Sequence, residues 1–213
     1  MAKKKFYAVK TGRKIGIFET WDECQDSTKG FPKAEFKSFT TIDEAKAYLN
    51  DIDIWTKQIN EDIKNNYLVA FTDGSFDDDT GIYSYGAIYV YDNGVTAEGY
   101  GYGDNLLYAN SRNVAGELFA AIDAFETAMR GYHKKLKIYH DYEGVAKWIT
   151  GEWKLKTDIA KYYVDLYNHK FKDKVHVEFV KVPAHSNVLY NEKADKLAKL
   201  ALLEYKKLVL CKQ

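Results

Sequence analysis

Asp73, Glu117, Asp141 and Asp195 each stand beside an apolar run. Asp73 ends "YLVAFTD" and Asp141 ends "KLKIYHD", two strand-type segments. The carboxyl ends of parallel strands are where open α/β sheets place their sites. Glu117 follows a different geometry. At about 100° per residue it lies about 90° from the centre of the stripe formed by Val114, Leu118, Ile122, Phe125 and Met129, so it borders a sheet instead of facing water. Asp195 sits likewise at the margin of the stripe Ala194, Leu197, Ala198, Ala201 and Tyr205. Carboxylates from four such elements, gathered at one sheet edge, would repel one another unless cations were present. Hard oxygen ligands select Mg²⁺ or Mn²⁺. Taken singly, each acid also has a plainer role: Asp73 as the start of a turn before Gly74, Asp141 as a helix cap, Asp195 as the partner of Lys199. Asp77, Asp78 and Asp79, beside Thr80-Gly81, read as a solvated turn.

The elements that must position these acids fall into two groups. From Tyr67 onward the pattern predicts strands over 67–73, "YSYGAIYVYD" and "TAEGYGYG", then a helix over 114–130. "KLKIYHD" follows as a fourth strand, then helices over 145–150 and 158–169, "VHVEFVKV" as a fifth strand, and a closing helix over 191–207. Three consecutive strands followed by αβαβα predict an α/β fold, a mixed five-stranded sheet with flanking helices. Residues 1–50 predict a separate small α+β unit of order ββαβα. Its helices open on Thr20-x-x-Glu23 and Thr41-x-x-Glu44, both capping boxes, and Gly30 ends the first of them. Residues 51–66 contain no Gly, Pro or Ser, which leaves a helical connection open. The expected division is therefore 1–50, a linker over 51–66, and 67–213.

At 213 residues, 46% hydrophobic and 29% charged, the chain is long enough for one sizeable core and a smaller second unit. No stretch approaches the roughly 18 to 20 apolar residues of a membrane helix. No signal-type apolar region follows Met1-Ala2-Lys3-Lys4-Lys5, so a cytoplasmic, membrane-free setting is expected. Cys24 and Cys211, far apart, suggest neither a disulfide framework nor a zinc site. Net charge is zero, which argues against a uniformly basic nucleic-acid binder, but the charge is unevenly spread. Residues 1–37 hold nine Lys/Arg against five acids, so the basic unit is the one suited to touch an anion.

The wording around the four acids resembles type 1 ribonuclease H over nearly the whole chain. The matching stretches are "FTDGSF", "RNVAGELFAAIDA", "IYHDYEGVAKW" and "FVKVPAHSNVLYNEKADKLAKLA", in the family's order. Through "FYAVKTGRKIGIFETWDEC" and "FPKAEFKSF", residues 1–50 are similar to the hybrid-binding domain that many members carry. The resemblance implies that Asp73, Glu117, Asp141 and Asp195 bind metal, two Mg²⁺ ions with Mn²⁺ as a substitute, and that Asp73 bridges them. It implies as substrate the RNA strand of an RNA–DNA hybrid, cut to leave a 5′-phosphate and a 3′-hydroxyl by a monomeric enzyme. It gives His185 an auxiliary proton-relay role, against the plainer account of a lone surface histidine; Glu192, one turn before Asp195, stands where it could orient metal-bound water, with pairing to Lys196 the competing account.

By the same analogy Gly74, Ser75 and Asn113 read the 2′-hydroxyl that separates RNA from DNA. Tyr7, Trp21, Phe36 and Lys37 face the hybrid, with loop amides near Gly12 approaching the RNA strand, while Phe6, Phe18 and Phe39 point inward. The chain departs from the family at Ser38, where a second lysine is usual, and in the apolar Val188-Leu189 after His185. Trp153, Lys154 and Lys156 stand where some members have a basic protrusion. Two other readings share these features: a DNA-cutting nuclease of the same superfamily, and a non-catalytic hybrid- or RNA-binding protein.

Overall fold

The computed structural model describes residues 5–49, 54–182 and 188–210. They form two compact units, Met1–Gln58 and Ile59–Gln213. The division falls inside a helix, α3 below, that occupies most of the stretch read as a linker.

The first unit contains β1 (Phe6–Thr11), β2 (Gly16–Phe18), α1 (Trp21–Thr28), β3 (Glu35–Phe39) and α2 (Ile42–Leu49), with antiparallel strand order β2-β1-β3. This is the ββαβα order that the sequence predicts. Both capping boxes form: Thr20 and Glu23 exchange side-chain and backbone bonds, as do Thr41 and Glu44. Gly30, at φ +71°, turns the chain after α1. The buried positions are small side chains, Ala8, Val9, Cys24, Ala45 and Ala47, while Phe6, Phe18 and Phe39 are only half-buried. The expectation that these three rings point fully inward is therefore not met.

The second unit contains the later part of α3 (Ile54–Lys64), then β4 (Leu68–Asp77), β5 (Ile82–Val90), β6 (Thr96–Gly103), α4 (Leu106–Ala109), α5 (Asn113–Arg130), β7 (Lys135–His140), α6 (Gly144–Lys147), α7 (Asp158–Leu166), β8 (His176–Lys181) and α8 (Leu189–Leu210). A π-type turn, Tyr167–Phe171, prolongs α7. The five strands run in the order β6-β5-β4-β7-β8, with β4, β7 and β8 mutually parallel and the remainder antiparallel. One sheet face carries Leu68, Ala70, Leu136 and Ile138 against Leu118, Phe125, Tyr163 and Phe171. The other carries Phe71, which stacks on Tyr139 and meets Tyr190 of α8. Among the described residues no helix is long and apolar enough to cross a membrane.

Two local expectations are corrected. Asp73 does not end its strand, because β4 continues to Asp77 in register with Ile82 of β5; what ends near Asp73 is the parallel pairing, at Thr72↔His140. The helix expected over 145–150 is only the single turn α6. A charged cluster that the sequence does not announce anchors α3: the buried Lys137 bonds Asp62 at 2.8 Å and Glu178 at 3.0 Å, and the Tyr139 hydroxyl donates to Asp62.

Candidate active site

Two close approaches of backbone bring the acids together. Side chains of β4 alternate, so Asp73 points to the α8 face and Gly74 to the α5 face. A Cβ on Gly74 would stand 2.2 Å from the Glu117 amide nitrogen, and one on Gly116 would stand 2.0 Å from the Ser84 carbonyl oxygen. Their absence lets the first turns of α5 lie directly on β4 and β5. On the other face Gly86, paired with Asp73, would meet the Ala194 carbonyl oxygen at 2.2 Å, so α8 lies as close there. Glycine at both places therefore draws the elements bearing Glu117 and Asp195 onto the strand bearing Asp73. Beyond Thr72, β7 no longer pairs with β4, and Asp141 occupies the opening.

Asp73, Glu117 and Asp141 each offer a carboxylate oxygen, and these oxygens lie within 4.8 Å of one another. Glu117 is 3% exposed, and its Oε2 has no hydrogen-bond partner among the described residues. Asp73 accepts a bond from the Gly74 amide at 2.8 Å. Burial, then the charges of Asp141 and Asp195, push the Asp73 carboxyl up from 3.8 to about 8. Burial, followed by the charges of Asp73 and Asp141, raises Glu117 well above the ordinary carboxyl range. Asp195 lines the same cavity but stands outside this trio, half-exposed and bonded to Lys199 at 2.7 Å. The plainer pairing weighed for Asp195 is thus present alongside its place in the cluster.

These residues fit a divalent cation. The donor set is all oxygen, one buried oxygen lacks a partner, and the crowded carboxylates favour protonation unless positive charge replaces the protons. Asp73, Glu117 and Asp141 would hold the ion, with Asp195 at the rim.

The cavity measures about 590 Å³. Gly74, Ser75, Asn113 and Glu192 line it together with the acids. So do Arg112 and Asn191, which the sequence reading did not single out. Arg112 immediately precedes α5 at φ 55°, an uncommon conformation for a non-glycine residue, and its guanidinium reaches Asp78 at 2.7 Å. The only sequence signal for it is a basic residue directly before the helix carrying Glu117. Asn191 is 7% exposed with a partnerless Oδ1 among the described residues, one turn before Asp195. His185 lies outside the described residues.

Within the first unit Trp21 packs between Tyr7 and Phe36, with ring centroids 5.6 and 5.9 Å away. Trp21 is 45% and Phe36 40% exposed, an aromatic surface that a folded core does not require. Lys37 does not join them on that face. Strand alternation sends it to the opposite side of β3, where its ammonium stands 5.6 Å from the Phe39 ring centre.

Residues 65–202 match the RNase H family, and residues 5–49 match the family described as the ribonuclease H1 N-terminal domain. The chain belongs to the ribonuclease H family. It is 27% identical over 254 residues to human ribonuclease H1, an alignment covering 91% of this chain and 88% of the human one. It is 32% identical over 151 residues to ribonuclease H of Francisella tularensis subsp. novicida, covering 66% of this chain and 94% of that protein. The fold is shared with a ribonuclease H1 solved in complex with an RNA/DNA hybrid. That structure superimposes with a TM-score of 0.51 at 22% identity, over 63% of this chain and 99% of that one. Membership makes the chain a ribonuclease H enzyme of a metal-dependent family, and a carboxylate cluster suited to metal is present.

Proposed function

We propose that this enzyme hydrolyses the RNA strand of RNA–DNA hybrids with two divalent ions, Mg²⁺ or in its place Mn²⁺, leaving 5′-phosphate and 3′-hydroxyl ends. The observation that carries this reading is the convergence of Asp73, Glu117 and Asp141 within 4.8 Å, two of them buried and pushed toward protonation. When bound, the ions activate the attacking water and stabilise the departing ribose oxygen. The remaining work belongs to the chain. Asp73, Glu117 and Asp141 supply the buried ligand oxygens, and Asp195 completes the set from α8. Arg112, Lys196 and Lys199 line the cavity as positive charge for a phosphate backbone. Gly74, Ser75 and Asn113 border the acids closely enough to meet a 2′-hydroxyl on the strand being cut, the one group that separates RNA from DNA there. Glu192 faces the cavity as a second oxygen acceptor for ordered water, and His185 assists proton movement and product release. The first unit supplies affinity: its Tyr7, Trp21 and Phe36 surface suits stacking on sugars. The enzyme acts as a monomer.

The test is cleavage of a labelled hybrid with Mg²⁺, beside duplex DNA and each single strand. Cutting confined to the RNA of the hybrid, lost on chelation and lost in Asp73→Asn, is the expected result. Cutting of duplex DNA, or hybrid binding without cleavage, would replace this reading with one of its two rivals.

A further inference from the structure

Three of the four acids hang on backbone fixed by regular structure: Asp73 lies inside β4, Glu117 inside α5 and Asp195 inside α8. Asp141 is different. It stands one residue past β7, whose pairing closes at Thr72↔His140 on one side and His140↔Lys181 on the other, and α6 begins only at Gly144. No ladder or helix directs its carboxylate, yet that carboxylate reaches the cluster.

Three successive peptide planes around Asp141 are instead held by individual bonds. The carbonyl of His140 accepts from the Val182 amide at 2.8 Å. The carbonyl of Asp141 accepts from the Lys181 ammonium, which also donates to the Val182 carbonyl at 3.2 Å. The carbonyl of Tyr142 lies 2.8 Å from Nδ1 of His140. A carbonyl only accepts, so Nδ1 carries the proton. The His140 ring is 2% exposed and packed edge-on against Phe179, with centroids 6.0 Å apart, so its donor direction is fixed. Lys181 is exposed and lies outside the cavity lining. Its ammonium binds carbonyls, which leaves the carboxylate oxygens free for an ion.

We propose that His140 and Lys181 are positioning residues for metal binding: they clamp the peptide planes that follow Asp141, so that its carboxylate meets the ion without rearrangement. The proposal rests on the reading of Asp73, Glu117 and Asp141 as ligands, and extends it to side chains that touch neither metal nor substrate.

Calorimetric titration of the full chain with Mg²⁺ tests it. Lys181→Met and His140→Leu remove the donors and should each weaken Mg²⁺ binding about tenfold, the scale of lost support behind a ligand. Lys181→Arg and His140→Asn keep a donor and should stay within about twofold of the parent. In hybrid cleavage the donor-free variants should need correspondingly more Mg²⁺ for half-maximal rate, while kcat at saturating Mg²⁺ returns to the parent value; a merely destabilised fold would lose kcat at every concentration. Should His140→Leu not fold, Lys181→Met alone decides, since its side chain is exposed. Unchanged Mg²⁺ affinity in the donor-free variants, or equal loss in the donor-keeping ones, overturns the clamp. Asp141→Asn separates the two levels. If it binds Mg²⁺ as the parent does, or the parent binds none, the ligand reading fails and the clamp with it; if it alone loses affinity, only the clamp fails.

Discussion

The two units of this chain bury opposite kinds of group. Among the described residues of the first, the buried polar side chains are the hydroxyl-bearing Ser27 and Thr28, and Trp21 and Phe36 are left in solvent. The second buries Asp62, Asp73, Glu117 and Lys137. A stacking surface tolerates displacement because every sugar and base offers a face to it. An ion-binding cluster does not, since its oxygens must be desolvated and held at fixed separation. The first unit is accordingly built on small core residues with its aromatics outside, and the second on glycine contacts that hold helices rigidly against strands.

The largest expected effect belongs to the buried cluster. Asp73→Asn should lower hybrid cleavage about a thousandfold or more, about 4 kcal/mol of barrier, with hybrid binding retained when measured by anisotropy. Gly74→Ala comes next, because its methyl would meet the backbone of Glu117 and Asn113. Moving α5 outward should cost about 1–3 kcal/mol in denaturant melts and carry Glu117 out of the cluster, so cleavage falls too. The contrasting variant in the first unit is Trp21→Ala. It should weaken hybrid binding about tenfold, raise KM and leave kcat near the parent value. A loss of kcat there would abolish the division between the units.

The smallest effect is one of pH. The raised carboxyl of Asp73 means that the folded, metal-free chain keeps a proton that the unfolded chain gives up. The contribution of Asp73 to stability is therefore full below the ordinary pKa of 3.8 and is lost as pH climbs toward about 8. The neutral, buried His140, held down to about 4 by desolvation, acts at the acid end: its contribution is full above 6.5 and fades as pH falls toward about 4. Thermal melts across pH with a chelator should show the alkaline decline, and added Mg²⁺ should flatten it. A flat metal-free profile would mean that neither burial nor the neighbouring acids raise the Asp73 carboxyl.

Much of this was legible from the sequence because local signals agreed. The capping boxes at Thr20 and Thr41, the apolar stripe of α5 and the strand runs each encode one element, and their order encodes the sheet. The convergence of Asp73, Glu117 and Asp141 was readable from a strand run, a stripe margin and a strand end, although Asp73 proved to lie inside its strand. What stayed hidden depends on contacts between distant segments. Nothing near Asp73 says that β4 continues past the parallel pairing, since that depends on where β7 ends. The face taken by Lys37 follows from strand register, and the burial of Lys137 follows from Asp62, seventy-five positions earlier. The conformation of Arg112 likewise shows only once its reach to Asp78 is known.

The anchoring of α3 bears on where the hydrolase can be separated from its companion. A shortened protein starting at Tyr67 would keep every residue of the carboxylate cluster and discard Asp62. Lys137 would then retain Glu178 but lose its better-buried counterion, and the phenol of Tyr139 would lose the acceptor beneath it. Both residues belong to the strand that leads into Asp141, so the end of α3 that carries Asp62 serves as a keel for the catalytic body.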